Sequence, residues 1–125
     1  MLKLALLFAL AAIAFDAIGA ALAKIFAFNY GHFALLAILL FIAFGFYAGR
    51  VLAPARALMA VVIAAVAEAT LGWYVAALIG PARPTPGTAF YLIVAFAVIG
   101  VVVDSAAGWA GAFFGHRAAR QGSRS

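Results

Sequence analysis

Residues 57–79 read ALMAVVIAAVAEATLGWYVAALI, an unbroken apolar run with one charged side chain, Glu68, near its centre. The hydrocarbon core of a bilayer is about 30 Å thick and a helix rises about 1.5 Å per residue, so about 20 such residues cross it. An amphipathic helix of a soluble domain would keep a polar face over this length. This run has none, so it reads as a membrane-spanning helix.

The rest of the chain repeats the pattern. Its 125 residues are 70% hydrophobic and 9% charged, with mean hydropathy +1.25. A soluble domain is only about half apolar. Four runs are long enough to span: residues 4–28, 33–49, 57–79 and 88–114. The expected fold is all-α, an integral membrane protein with four transmembrane helices in a compact bundle. It forms one domain, residues 1–114, followed by a polar, basic, mobile tail at residues 115–125. Breaks fall between the runs. Asn29-Tyr30-Gly31-His32 reads as a tight turn. Pro54 interrupts the segment from Arg50 to Arg56. PARPTPG, residues 81–87, reads as a stiff loop.

Charge gives a direction. Lys3, Arg50, Arg56, Arg117, Arg120 and Arg124 fall on one side of this threading, and Lys24 and Arg83 on the other. Basic residues favour the cytoplasmic side. Both termini are therefore expected to be cytoplasmic, in a bacterial inner membrane. Tyr30, Trp73, Tyr74 and Tyr91 fall toward the outer interface, and Tyr47 and Trp109 toward the inner one. The net charge of +5 lies between and beyond the apolar runs. It reads as an orientation signal, with the lipid bilayer as partner and no nucleic acid. In a rival threading, Lys3 and the first run form a signal peptide, with Ala12-Ile13-Ala14 or Ala21-Leu22-Ala23 as its cleavage site. The run is long for that role.

All three acidic residues, Asp16, Glu68 and Asp104, lie inside spans. A charge at the bilayer centre costs at least ~2.5–3.5 kcal/mol, so each acid should face protein or water. Residues four apart share a helix face. At that offset Asp16 has Ala12 and Ala20, Glu68 has Ala64 and Gly72, and Asp104 has Gly100 and Gly108. In the third span the stripe runs Ala60, Ala64, Glu68, Gly72, Ala76. Small stripes are where membrane helices approach closely, so all three acids are expected on inward faces. As a set they suit proton and cation binding. They equally suit polar packing between helices, and for Asp104, beside Ser105, packing is the stronger reading. Lys24 lies two turns from Asp16, too far to pair within the helix, and reads as an interfacial anchor.

Gly45-Phe-Tyr-Ala-Gly49 and Gly111-Ala-Phe-Phe-Gly115 are GxxxG motifs, read first as contacts within the bundle. Gly72, Gly100 and Gly108 join them as expected packing positions. His32 and His116 fall at opposite ends of the bundle and there is no cysteine, so no metal, haem or other cofactor site is expected. No phosphate-binding or nucleophile motif is present, and no enzymatic activity is expected.

Residues 16–24, DAIGAALAK, resemble the first helix of the small multidrug resistance transporters. That family also has about this length and four spans. Its first helix carries an acid, then Ile/Val-Gly, then Leu-x-Lys at this spacing, matched here by Asp16, Ile18, Gly19, Leu22 and Lys24. The resemblance implies that Asp16 is the carboxylate shared by protons and cationic substrate in a dimer. It covers the first quarter of the chain. The family acid is glutamate, the family's third-span Gly-x-Gly is replaced by Ala67-Glu68-Ala69, and Glu68 and Asp104 have no counterpart there. Its dimer is often antiparallel, unlike the one-sided charge here.

The leading expectation is a proton-coupled secondary transporter of a small cationic or amphipathic solute, centred on Asp16 with Glu68 assisting. A bundle this small leaves little room for an internal cavity, so a homodimer or a place in a larger membrane complex is expected. The alternative is a non-catalytic subunit or scaffold whose acids are packing contacts. A weaker third reading is a lipid-associated protein using its basic tail.

Overall fold

The computed structural model describes residues 1–80 and 83–124, so Pro81, Ala82 and Ser125 of the expected loop and tail lie outside the described residues. Four helices are long and apolar enough to cross a membrane, which is the architecture of an integral membrane protein. The first is Leu2–Phe26, the second Phe33–Val51, the third span Pro54–Ile79 and the fourth Phe90–Gly122. Among the described residues there is no strand.

Local chemistry explains most boundaries. The first helix ends on Ala27 in the left-handed region at φ 54°. A short 3-10 turn, Tyr30–His32, then reverses the chain, and the Asn29 side chain accepts a hydrogen bond from the Gly31 amide at 2.9 Å. Pro54 opens the third span at a first-turn position, where its missing N–H costs nothing. Gly80, at φ 131°, closes that span, and the Lys24 ammonium of the first helix donates to the Ile79 carbonyl at 3.2 Å. Lys24 thus does more than anchor at the interface, because it caps the third span at a terminus that favours cations.

The expected mobile tail is corrected for residues 115–122, which continue the fourth helix to Gly122. Gly115 packs on the second helix, Ala118 and Ala119 are strong helix formers, and the Arg117 guanidinium lies 4.7 Å from the centre of the Phe113 ring. The lipid boundary and the helix end therefore differ.

The third span is α-helical over Pro54–Ala67 and Trp73–Ile79, with a π-helical turn at Glu68–Gly72 between them. Within the turn the Trp73 amide donates to the Glu68 carbonyl. The Thr70 hydroxyl donates to the Val66 carbonyl at 2.7 Å, a contact that competes with the helical ladder and bends helices. Glu68 starts this turn and Gly72 ends it.

The helices pair first with third and second with fourth, and the third span also packs on the second and the fourth. The core is small-grained. Phe8 stacks on Phe44 at 4.4 Å between ring centres, Phe41 meets Phe44 edge-on, and Val61 with Ala12, Ala48, Ala57, Ala64 and Ala65 fills the space around them. The first helix supplies Phe8 and Ala12 to this core.

The second and fourth helices meet backbone to backbone. A Cβ added at Gly45 would collide with the Gly108 carbonyl, and one at Gly49 with the Ala112 carbonyl. In return, Gly111 faces the Ile42 carbonyl and Gly115 the Phe46 carbonyl. The two GxxxG motifs thus lie against each other. Gly108 also takes the Val61 side chain. This seam covers only one half of the pair. In the fourth helix no residue before Asp104 is fully buried, so that half lies outside the close-packed seam.

Each seam position tolerates no side chain without separating the helices. Gly45→Ala and Gly111→Ala should each lose about 1–3 kcal/mol of unfolding free energy in mixed detergent micelles. Gly100→Ala, whose new Cβ would meet only the edge of the Trp73 ring at 3.3 Å, should stay near wild type. Ala27→Gly should gain about 1 kcal/mol in the same assay by relieving the left-handed alanine.

Candidate functional site

The acids sit at mid-length in the first, third and fourth helices, and the fold turns all three inward. Asp16 is 3% exposed, Glu68 4% and Asp104 8%. The small stripes explain how. Ala12 and Ala20 are buried with Asp16, and Ala60, Ala64, Gly72 and Ala76 with Glu68. On the fourth helix Gly108 is buried with Asp104, whereas Gly100 is not. Gly100 lies against the Trp73 ring and not a helix backbone, so it borders the site without being a close helix contact.

All three acids line one cavity of about 270 Å³. The second helix contributes Ala37 and Ile38, the fourth Phe96, Ile99, Gly100 and Val103, and the turn between the first two helices contributes Tyr30 and Gly31. The cavity occupies the space left where the second and fourth helices diverge beyond their seam. It is small, just below the range of about 300–1,000 Å³ usual for ligand pockets. A second cavity of about 410 Å³ lies toward the loop end, lined by Pro84, Thr88 and Ile93. The two share Tyr30, Trp73 and Phe96 as walls.

The carboxyl groups are not equivalent. Glu68 and Asp104 face each other within hydrogen-bonding reach. Two carboxyl groups in such contact need a proton between them, because an ionised carboxylate only accepts. Asp104 is therefore joined to Glu68 across the third and fourth helices, and its neighbour Ser105 takes no part in that contact. The Ser105 hydroxyl is buried without a hydrogen-bond partner. Asp16 stands differently. Its Oδ1 accepts from the Tyr30 hydroxyl at 3.1 Å. Its Oδ2 is buried with no partner and lies against Gly72, where a Cβ would strike it. Gly72 is thus a packing glycine whose neighbour is a carboxylate. Among the described residues no group of three or more His, Cys, Asp or Glu closes to metal-holding spacing. The acids ring the cavity; they do not converge on a point.

Two residues of the cavity wall have positions in the sequence that suggest a different place. Tyr30 and Trp73 looked like members of an outer aromatic belt, yet both turn into the cavity. Tyr30 is held there by the 3-10 turn and by Phe33, whose ring centre is 5.9 Å away. Trp73 follows directly on the π-helical turn. No residue spacing links Tyr30 to Asp16, since their contact exists only once the chain reverses at Asn29. Single π-helical turns inside α-helices are frequent at functional sites, and this one begins at Glu68.

Tyr30→Phe leaves both Asp16 oxygens buried without a donor. It should cost about 1–3 kcal/mol of unfolding free energy in mixed micelles, whereas Tyr91→Phe, at an exposed position, should cost nothing measurable. Equal effects would remove Tyr30 from the site.

Compared with family models, curated proteins and solved structures, the chain matches none, so the reading of this site rests on its own geometry.

Proposed function

We propose that the protein is a small secondary transporter that exchanges protons for a small cationic or amphipathic solute at the cavity bounded by Asp16, Glu68 and Asp104. One observation carries the reading. Three acids from three helices line a single cavity, and one oxygen of Asp16, Oδ2, is buried beside Gly72 with no partner. A carboxylate in such a place lacks a counter-charge, and an intramembrane acid of this kind marks an ion or proton pathway. The Glu68–Asp104 contact holds a proton that a competing cation can displace. Phe33, Trp73 and Phe96 give the same cavity aromatic walls suited to the apolar part of a solute.

The proposed work moves a solute without changing it, so the chain is not proposed as an enzyme. The charge asymmetry supports a bacterial inner-membrane location with both termini cytoplasmic and the cavity nearer the opposite surface. Four helices enclose the cavity incompletely, which supports a homodimer or a place in a larger complex as the working form. The first-helix resemblance to small multidrug resistance transporters agrees with Asp16 as the central carboxylate. A second reading, a non-catalytic subunit, draws on the Glu68–Asp104 contact, which ties the third span to the fourth helix as polar glue would.

The test is proton release from purified protein in weakly buffered detergent on adding small organic cations. Wild type should release protons in a saturable manner. Asp16→Asn and Glu68→Gln should each cut the amplitude by at least half. Binding and release unchanged in both variants would sink the transport reading, and stoichiometric recovery of a second protein with wild type would favour the subunit reading.

A further inference from the structure

The opposite end of the bundle carries a second feature that the acid cavity does not use. The fourth helix runs on past the seam, and there its small residues change from glycine to alanine. Gly111 and Gly115 touch the second-helix backbone, but Ala118 and Ala119, one turn further, do not close the gap. The helices part and leave a cavity of about 600 Å³. Ala118 and Ala119 form its floor, and Tyr47, Arg50 and Val51 of the second helix form its wall.

Two facts define what would fill it. The first is charge. Every Asp and Glu of the chain stands in the acid cavity at mid-length. Arg50, Arg56, Arg117 and Arg120 gather at this end with no acidic side chain of the chain to neutralise them. The Arg50 guanidinium, 6.0 Å from the centre of the Phe46 ring, is held against its own helix beside the cavity. The second is what adjoins the cavity. Tyr47 and Val51 are more than half exposed, as is Phe114 on the fourth helix, so an apolar surface leads straight from the arginine toward the hydrocarbon. A ligand that meets both must pair an anionic head with acyl chains.

We propose that this cavity is a headgroup site for an anionic phospholipid, its phosphate held by Arg50 and its glycerol region resting on Ala118 and Ala119. The apolar surface beside the arginine favours a lipid over a free phosphate ion. The site lies in the headgroup layer whichever way the chain is inserted.

The test uses the full chain in detergent, titrated with phosphatidylglycerol or phosphatidylcholine of equal acyl length and read by native mass spectrometry. Wild type should retain phosphatidylglycerol preferentially. Arg50→Gln should weaken that retention about fivefold or more, the size of one arginine–lipid charge contact. Arg83→Gln, at the far end, should leave it unchanged. Ala118→Leu keeps every charge but fills the floor, and it should weaken retention as well, which separates a shaped site from a diffuse basic surface. Equal retention of the two lipids would overturn the proposal, as would wild-type retention in both Arg50→Gln and Ala118→Leu. Displacement of the lipid by equimolar inorganic phosphate would also overturn it, by identifying a simple anion site.

Discussion

The backbone contact between the second and fourth helices governs the architecture. Helices in lipid gain little from hiding apolar side chains, because lipid tails are as apolar as leucine. What binds them is close packing, and here it is as close as the backbone allows. Gly45 and Gly49 meet the carbonyls of Gly108 and Ala112, and Gly111 and Gly115 meet those of Ile42 and Phe46. The contact clamps the two helices over one half of their length. Beyond it no glycine of the fourth helix meets the second-helix backbone, and the openings beside the seam are the acid cavity at one end and the arginine-walled cavity at the other.

That division lets the chain hold three carboxyl groups in a membrane. Each acid avoids lipid by sitting on a stripe of alanine and glycine that brings a neighbouring helix near. The neighbours then divide the work. Glu68 and Asp104 satisfy one another across the third and fourth helices. Asp16 is satisfied on one oxygen by Tyr30 and on the other by nothing. The π-helical turn serves the same place. It spans Glu68 to Gly72, so that the acid, the glycine against Asp16 and the Trp73 wall come from a single turn and the residue after it.

Much of this was legible in the chain. The lengths of the apolar runs and the punctuation at Asn29, Pro54 and residues 81–87 mark four helices, because a bilayer leaves the backbone few alternatives. The inward direction of the acids followed from the cost of the other direction. The depth of Asp104 did not identify its partner. Alanine and glycine are so common here that stripes alone cannot say which helix lies opposite. Tyr30 and Trp73 look like interfacial aromatics by position, and only the reversal at Asn29 and the turn at Glu68 send them inward. The fourth helix outlasts its apolar run because Gly115 still has a partner and Ala118 and Ala119 favour the helix, a packing effect that hydropathy does not register.

The acids border a cavity and the glycine seam beside it is closed, so a small polar molecule should reach the first and not the second. The chain has no cysteine, so single replacements report cleanly. Ala37 lines the cavity and is 7% exposed, and Ala112 lies in the seam and is 6% exposed, so burial alone predicts equal protection. The most direct measurement is the rate at which a small, water-soluble, positively charged methanethiosulfonate modifies Ala37→Cys and Ala112→Cys in reconstituted protein. The account predicts fast modification of Ala37→Cys, slowed by Asp16→Asn, and protection of Ala112→Cys. Equal protection at both positions would contradict it.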